Sequence, residues 1–278
     1  MPWEYTDDYY REYTRTTWNE AAAQYAAFME HTAPFRAELV RQLAPAAGEA
    51  ILDLGTGLGE PGLTIASAVG PRGRVLGVDL SERMIDLATQ TARSRRIDNI
   101  GFRAMDCLDL DLDGGEFDAT VSSFGFQIFT DPDRAAAETL RVLRPGGRIA
   151  VSVWSTGDRV PFLDAIVAPM LAHAEPDESG YLPTPYETGG PGEMVELLHR
   201  AGFRDGHERR VQRTLRFSDP GNYLDVVLKG TPLGHSLSEE SPEVQADVLK
   251  ATRENLRRAQ NDEGIELGAE VVLVTALK

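Results

Sequence analysis

The sequence predicts an α/β fold, a mostly parallel seven-stranded sheet with helices on both faces, and three observations carry that prediction. Short apolar runs alternate with helical patterns from Ala50 to Trp154, as expected for a parallel sheet covered by crossover helices. The first three runs carry an acid at or beside the C-terminal end: Asp53, Asp79 and Asp106. The first run leads into glycines at every second position, Gly55, Gly57 and Gly59. Glycines there let the backbone turn sharply and let a ligand approach without a Cβ in the way.

The elements follow in order. Tyr5 to Glu30 reads as one or two helices with interleaved aromatics: Tyr9, Tyr13, Trp18, Tyr25 and Phe28. Pro34 marks the start of the next helix, which runs to about Leu43. The first strand enters the glycine bend, and Pro61 fits the first turn of the helix that follows. The second strand is Arg74 to Asp79. Ser81 is placed to cap the next helix, whose apolar stripe is Met84, Ile85, Leu87 and Ala88. The third strand is Ile100 to Met105, the fourth Phe117 to Ser123 and the fifth Ile149 to Trp154. Beyond Trp154 the pattern changes. Val160 to His173 is helical, and Ala174 to Pro191 is a loop. Glu193 to Ala201 is a helix ended by Gly202, and Arg209 to Phe217 alternates like a strand. Asp219 to Lys229 and Pro242 to Ala259 are helical with a loop between, and Glu270 to Lys278 is a closing strand.

The glycine spacing bears on the ligand. A dinucleotide site requires G-x-G-x-x-G, which seats a pyrophosphate on the helix N-terminus. Here Glu60 stands where the last glycine would be. A carboxylate there repels a phosphate, so the bend suits a ligand with no phosphate bridge; the alternative is a tight strand–helix turn that holds nothing. Asp79 is placed to accept ribose hydroxyls, or else merely opens the helix. Asp106 can accept from an exocyclic amine such as that of adenine, while the Cys107 N–H donates to a ring nitrogen. Their alternatives are a solvated turn acid and a small apolar filler.

Three strand ends thus offer an amino-acid-like subsite, a ribose acid and an adenine acid. That series resembles the class I S-adenosylmethionine-dependent methyltransferases. The resemblance covers most of Ala50 to Trp154. It includes Phe117 to Ser123, Asp131-Pro132-Asp133, and Leu143 to Arg148 leading into the fifth strand. Within the class the chain looks most like the small-molecule branch that includes the ubiquinone and menaquinone C-methyltransferases, on Ser123-Phe124-Gly125-Phe126 and Leu143 to Gly147. The resemblance implies a Rossmann-like core over 46–156, an N-terminal helical lid over 1–45, and a region over 157–278. That last region would hold substrate-covering helices inserted after strands five and six, and antiparallel closing strands of the same sheet. It implies S-adenosyl-L-methionine as cofactor, with Asp53, Gly55, Thr56 and Gly57 at the methionyl end and Asp79 on the ribose. Leu80 and Met84 would pack on the adenine, Asp106 and Cys107 read its edge, and Ser123 meets the methionyl amine. Ser122 and Phe124 are alternatives to Ser123 within a residue of register.

Aromatics at or just past the fourth and fifth strand ends, Phe124, Phe126, Phe129 and Trp154, suit an apolar acceptor. Tyr13, Trp18 and Tyr25 are candidate walls from the N-terminal helices. For each aromatic the competing reading is plain core. Gln127 is placed to orient an acceptor hydroxyl, or else opens the next loop. No general base is singled out. His31, His173 and His235 fall in lid-like segments and are candidates, with His31 foremost; Tyr13, Tyr25, Tyr181 and Tyr186 are similar. His199 reads as a helix C-terminal cation and His207 as solvated. No metal centre is expected.

Composition excludes several classes. With a net charge of −16 over 278 residues, polyanion substrates such as nucleic acid are disfavoured. The pairs Arg209-Arg210 and Arg257-Arg258 read as solvated faces. One cysteine excludes an intrachain disulfide, which fits a reducing cytosol. The N-terminus lacks signal-peptide blocks, and no apolar run approaches the roughly 20 residues that span a bilayer. A cytoplasmic location without membrane insertion is therefore expected. Lys occurs only at Lys229, Lys250 and Lys278, so nearly all positive charge is Arg; with the abundant Ala and Gly this points to a GC-rich bacterial genome. Whether copies of the chain associate as a homo-oligomer is left open.

The expected activity is methyl transfer to carbon or oxygen of a quinone-like, polyketide or terpenoid acceptor, as in small-molecule biosynthesis. A cyclase or lyase that holds the cofactor without using its methyl is the alternative. Amino-group methyltransferases of nucleic acids carry an (Asp/Asn)-Pro-Pro-aromatic run after the fourth strand, where this chain has Ser-Phe-Gly-Phe-Gln. A nicotinamide oxidoreductase is disfavoured by Glu60, and a non-catalytic binding module by the aromatic lid region.

Overall fold

The computed structural model describes residues 7–174, 185–186 and 188–278. Five parallel strands form most of the sheet: β1 (Ala50–Leu54), β2 (Arg74–Asp79), β3 (Ile100–Ala104), β4 (Phe117–Ser123) and β5 (Leu143–Trp154). Their spatial order is β3-β2-β1-β4-β5, followed by antiparallel β8 (Gly264–Leu277) and β6 (Arg204–Phe217) at the edge. The predicted seven strands are present, and a two-residue strand, β7 (Gln260–Asn261), pairs with the start of β8. β1 lies between β2 and β4, so the strand order reverses there and leaves a crevice at the carboxyl ends, where open α/β sheets take ligands.

The helices are α1 (Asp7–Ala21), α2 (Tyr25–Leu43), α3 (Gly62–Val69), α4 (Glu82–Arg95), α5 (Pro132–Val142), α6 (Pro161–Leu171), α7 (Glu193–Ala201), α8 (Pro220–Gly230), α9 (Leu233–Glu239) and α10 (Pro242–Arg258). The period of two along a strand feeds two cores. In β5, Ala150 and Trp154 face a core with Phe35 and Leu39 of α2, Ile65 of α3 and Ile166 of α6. Ile149, Val151 and Val153 face the other core, with Ala135 and Val142 of α5 and Leu197 of α7. Caps fall where the sequence places them: the Ser81 hydroxyl accepts from the Met84 N–H at 3.1 Å, and Gly202 closes α7 at φ +107°.

Several elements differ from the sequence reading, β6 among them, which begins at Arg204 rather than Arg209. Pro34 does not start a helix but lies inside α2. A mid-helix proline costs about 3 kcal/mol; the continuous stripe Phe28, Phe35, Leu39 and Leu43, all buried, offsets it. The loop expected between α8 and α10 contains the short helix α9. β8 begins at Gly264 rather than Glu270, because it pairs with β6 as far as Ile265 opposite Phe217. β5 extends back to Leu143, which pairs with Phe117 across an irregularity in the register. Most of the expected 174–191 loop and Tyr181 lie outside the described residues.

Gly77 of β2 is packed so closely that a Cβ would sit 2.6 Å from the Phe102 ring and 2.7 Å from the Thr56 hydroxyl. Gly77→Ala should therefore lower stability by about 1–3 kcal/mol, read as a shift in the urea midpoint; an unchanged midpoint would show that the two neighbours give way freely.

Candidate cofactor site

The turn after β1 is built by backbone conformation. Gly55, Gly57 and Gly59 hold φ of +66°, +54° and +96°, the left-handed region that other residues avoid. The Thr56 N–H donates to the Val78 carbonyl at 2.9 Å, which ties the turn to β2. Asp53 is fully buried, and one of its oxygens accepts from the Thr56 hydroxyl at 2.7 Å and the Gly62 N–H at 3.0 Å. Its other oxygen, Oδ1, is buried with no partner. A buried acceptor left unmade is costly, and here it borders the turn that a ligand would enter.

Asp79 closes the turn from the β2 side. Its Oδ2 accepts from the Gly57 N–H at 2.8 Å and its Oδ1 from the Ser81 N–H at 3.0 Å. Each oxygen keeps lone-pair capacity for a further donor. Gly55, Asp79, Leu80, Ser81, Asp106 and Cys107 line one cleft, roofed by Trp18 of α1. The cleft is narrow and open to solvent. Met84 is buried. Asp106 accepts from the Leu108 N–H at 2.8 Å and forms an ion pair with Arg11 of α1 at 2.8 Å. Asn19 of α1 meets the Ser81 hydroxyl at 2.6 Å and the Arg83 N–H at 3.2 Å. Arg11, Arg15 and Asn19 recur at helical spacing, so one face of α1 lies over the cleft. Neither Arg11 nor Asn19 was singled out from sequence; the spacing of polar residues on α1 was the available signal.

The helix N-terminus beyond the turn is taken. Glu60 accepts from the Thr64 N–H at 3.2 Å and the Thr64 hydroxyl at 2.7 Å, and it pairs with Arg95 at 3.0 Å. A carboxylate thus occupies the position where a pyrophosphate would seat. A cleft with acids from two adjacent strand ends and no phosphate seat, beside a turn whose buried acid keeps one unpartnered oxygen, fits an adenosyl amino acid.

The remaining candidates separate into two groups. Tyr25 borders the turn, since a Cβ on Gly57 would lie 3.4 Å from its ring, and Trp18 meets it edge-on at 5.2 Å. Burial pushes the Tyr25 phenol up to about 12. Phe124, at φ +62°, follows Ser123 and stacks on Trp154 at 4.4 Å. Ser123 itself is half-buried, its hydroxyl 3.5 Å from that of Ser152. Phe126 is not with them: it is buried in the opposite core and packs on Phe129 at 5.2 Å. The Gln127 side-chain oxygen accepts from the Trp154 N–H at 2.8 Å and so holds the end of β5. Cys107 is buried, and burial raises its thiol.

Among the base candidates, His31 stacks on Phe217 at 4.4 Å, and burial lowers its pKa. Tyr13 shares a hydrogen bond with Ser236 at 2.9 Å and sits edge-on to His235, which lies between Glu20 at 2.7 Å and Glu239 at 3.4 Å. These contacts join α1 to α9. His173 is exposed, and burial raises the Tyr186 phenol.

Burial pushes the Asp53 carboxyl up to about 7 against the pull of its two hydrogen bonds. A raised carboxyl favours the neutral form in the fold. Its contribution to stability is complete below the unfolded value and is lost as pH rises through about 7. A ligand ammonium beside Asp53 favours the ionised form instead. Cofactor affinity should therefore strengthen roughly tenfold from pH 5.5 to 7, and Asp53→Asn should flatten the profile; calorimetry in buffers of different ionisation heat reads the released proton. A flat wild-type profile would remove Asp53 from the ammonium.

Residues 51–147 match the family model of a methyltransferase domain. The chain is 30% identical over 149 residues to the demethylmenaquinone methyltransferase of Bacteroides fragilis, covering 50% of this chain and 61% of that one. It is also 30% identical over 157 residues to the nocamycin O-methyltransferase of Saccharothrix syringae, covering 52% and 56%. The chain thus spans about three-fifths of the length of the curated relatives it matches. The YcgJ protein of Bacillus subtilis shares the fold, with a TM-score of 0.59 at 16% identity over 87% of this chain and 97% of that one. Over residues 51–147 the chain is similar to a methyltransferase domain, and it resembles the class I S-adenosylmethionine-dependent methyltransferases. Within that class it resembles the menaquinone methyltransferases, and the cofactor of the class is S-adenosylmethionine. No helix among the described residues is long and apolar enough to cross a membrane.

Proposed function

We propose that the chain transfers a methyl group to carbon or oxygen of a small, largely apolar acceptor of quinone-like, polyketide or terpenoid type. The unpartnered Asp53 oxygen beside a glycine turn without a phosphate seat carries this reading. When bound, S-adenosylmethionine supplies an electrophilic methyl carbon on a sulfonium sulfur. The chain's part is to bind, orient and exclude water, which supplies most of the barrier reduction in an in-line displacement. Asp53 and the turn hold the amino-acid end, Asp79 the ribose, and Asp106 with Cys107 the base. Leu80 and Met84 form the floor, and Ser123 faces the amine. Tyr25, Trp18, Phe124 and Trp154 supply ring faces near the transfer site. Gln127 acts on the acceptor through the end of β5, which it fixes. The N-terminal helices serve as a lid, and the helices after β5 and β6 cover the acceptor.

Relatives whose names specify a demethylmenaquinone and nocamycin support the acceptor class. The net charge of −16 supports a small molecule over nucleic acid. The test is incubation with methyl-labelled cofactor and a panel of quinols, enolic polyketides and terpenoids. Label in an organic-soluble product is the expected result. Tight binding of the cofactor with no labelled product from the panel or from cell extract would support the cyclase or lyase reading instead.

A further inference from the structure

Arg209 and Arg210 are neighbours on β6, and the sequence reads both as solvated. The period of two along the strand separates them. Arg209 is exposed and pairs with Glu38 of α2 at 2.6 Å. Arg210 points to the other face and is half-buried at the tip of β5. Its Nη1 donates to the Ser155 hydroxyl at 2.7 Å and meets Glu270 of β8 at 3.3 Å. Its Nε donates to Glu208 of its own strand at 2.9 Å, and its Nη2 to the Gly189 carbonyl at 3.3 Å. Ser155 is fully buried, and its hydroxyl donates to Glu270 at 2.9 Å. One guanidinium thus joins β6, β8, the residue after β5 and the 188–192 segment ahead of α7.

The segment is seated at both ends. Glu208 gives one oxygen to Arg210 and accepts from the Gly192 N–H at 2.9 Å with the other. A Cβ on Gly189 would lie 2.0 Å from the Trp154 carbonyl oxygen and 2.9 Å from the Ser155 backbone, so the chain passes there only as glycine. Trp154 is therefore held on two sides: its N–H donates to Gln127 at 2.8 Å, and Gly189 covers its carbonyl. Its ring stacks on Phe124, just past β4, at the carboxyl ends where open sheets take ligands. A rigid planar fork reaches four partners at once, which a lysine ammonium on a flexible stem does poorly. Without the guanidinium, Glu208 and Glu270 lose their shared counter-charge, and partly buried acids left so repel the contact.

We propose that Arg210 is a positioning residue for the acceptor: it clamps the 188–192 segment onto the tip of β5 and so sets the place of the Trp154 ring that the acceptor meets. This rests on the acceptor reading above. Arg210 acts through Ser155 and Gly189. Its loss therefore falls on acceptor binding and spares the cofactor cleft, which β1 to β3 and α1 build.

The test follows Arg210→Met, Arg210→Lys and Gly189→Ala by amide hydrogen exchange, by calorimetry with S-adenosylmethionine, and by methyl transfer to whichever panel member the wild type labels. In Arg210→Met, exchange over 188–192 and at Ser155 should quicken about tenfold or more, as for a lost charged hydrogen-bond network, while β1 to β4 stay protected. Cofactor affinity should hold within about twofold, and the acceptor KM should rise about tenfold with kcat changed less than about threefold. Arg210→Lys should recover part of both effects. Gly189→Ala displaces the segment with the charged side chains intact and should raise the same KM. A lowered melting temperature with an unchanged KM would mark Arg210 as merely structural and overturn the proposal. Unchanged exchange at 188–192 would overturn the clamp, and a loss of cofactor affinity matching the rise in KM would overturn its assignment to the acceptor side. If Arg210→Met does not fold, Arg210→Lys and Gly189→Ala decide on the same readouts. Wild-type protein that binds the cofactor yet labels no acceptor would bring down the methyl-transfer reading and the acceptor role with it, while the exchange result still decides the clamp.

Discussion

Trp154→Ala should destabilise the fold by about 3–5 kcal/mol, in the range for deleting a large aromatic from a core. Trp154 ends β5 and is 2% exposed. It stacks on Phe124 at 4.4 Å and lies 5.9 Å from the rings of both Phe35 and Phe162. It thereby joins the tip of β5 to α2, to α6 and to the strained residue after β4. Its loss opens a cavity where three elements meet, and the surrounding rings can collapse only partly. Domains of this kind hold about 5–15 kcal/mol in all, so the variant should show a large drop in denaturation midpoint. Trp154→Phe should recover much of it. A variant that melts like the wild type while changing its acceptor range would show that Trp154 is a pocket wall with little part in the core.

Asp79→Ala should weaken cofactor binding by about 1–3 kcal/mol through loss of charged hydrogen bonds. The carboxylate has two tasks. It accepts from the Gly57 and Ser81 N–H groups, which holds the glycine turn against the start of α4, and it keeps acceptor capacity toward the cleft. Alanine removes both. Asp79→Asn is no remedy, because one side-chain oxygen becomes a donor facing a backbone donor, so it should bind nearly as poorly. Titration calorimetry on both variants gives the measurement; unchanged affinity would reject the ribose role.

The parallel core was legible because its signals are local. A strand buried on both faces reads as an apolar run, as Ala50 to Leu52 does ahead of Asp53, and the glycines beyond it require left-handed φ. The Glu60 argument was readable for the same reason: one charge at one position decides whether a phosphate can sit there. Pro34 was misread because the stripe that keeps it helical is recognisable only against Trp154 and Phe162, far along the chain. The two roles of Phe126 and Phe124 were inseparable in sequence. They lie two residues apart, yet the turn between them sends one ring into each core.

The acid capping α3 has a consequence for how the molecule behaves among other solutes. Cells are crowded with energy and redox carriers built on the same adenosine unit, all bearing phosphate chains. Glu60 meets each of them with like charge at the corner where those chains would rest. Occupancy of the cleft should therefore follow the supply of methyl donor and of its demethylated product, and be largely deaf to the energetic state of the cell.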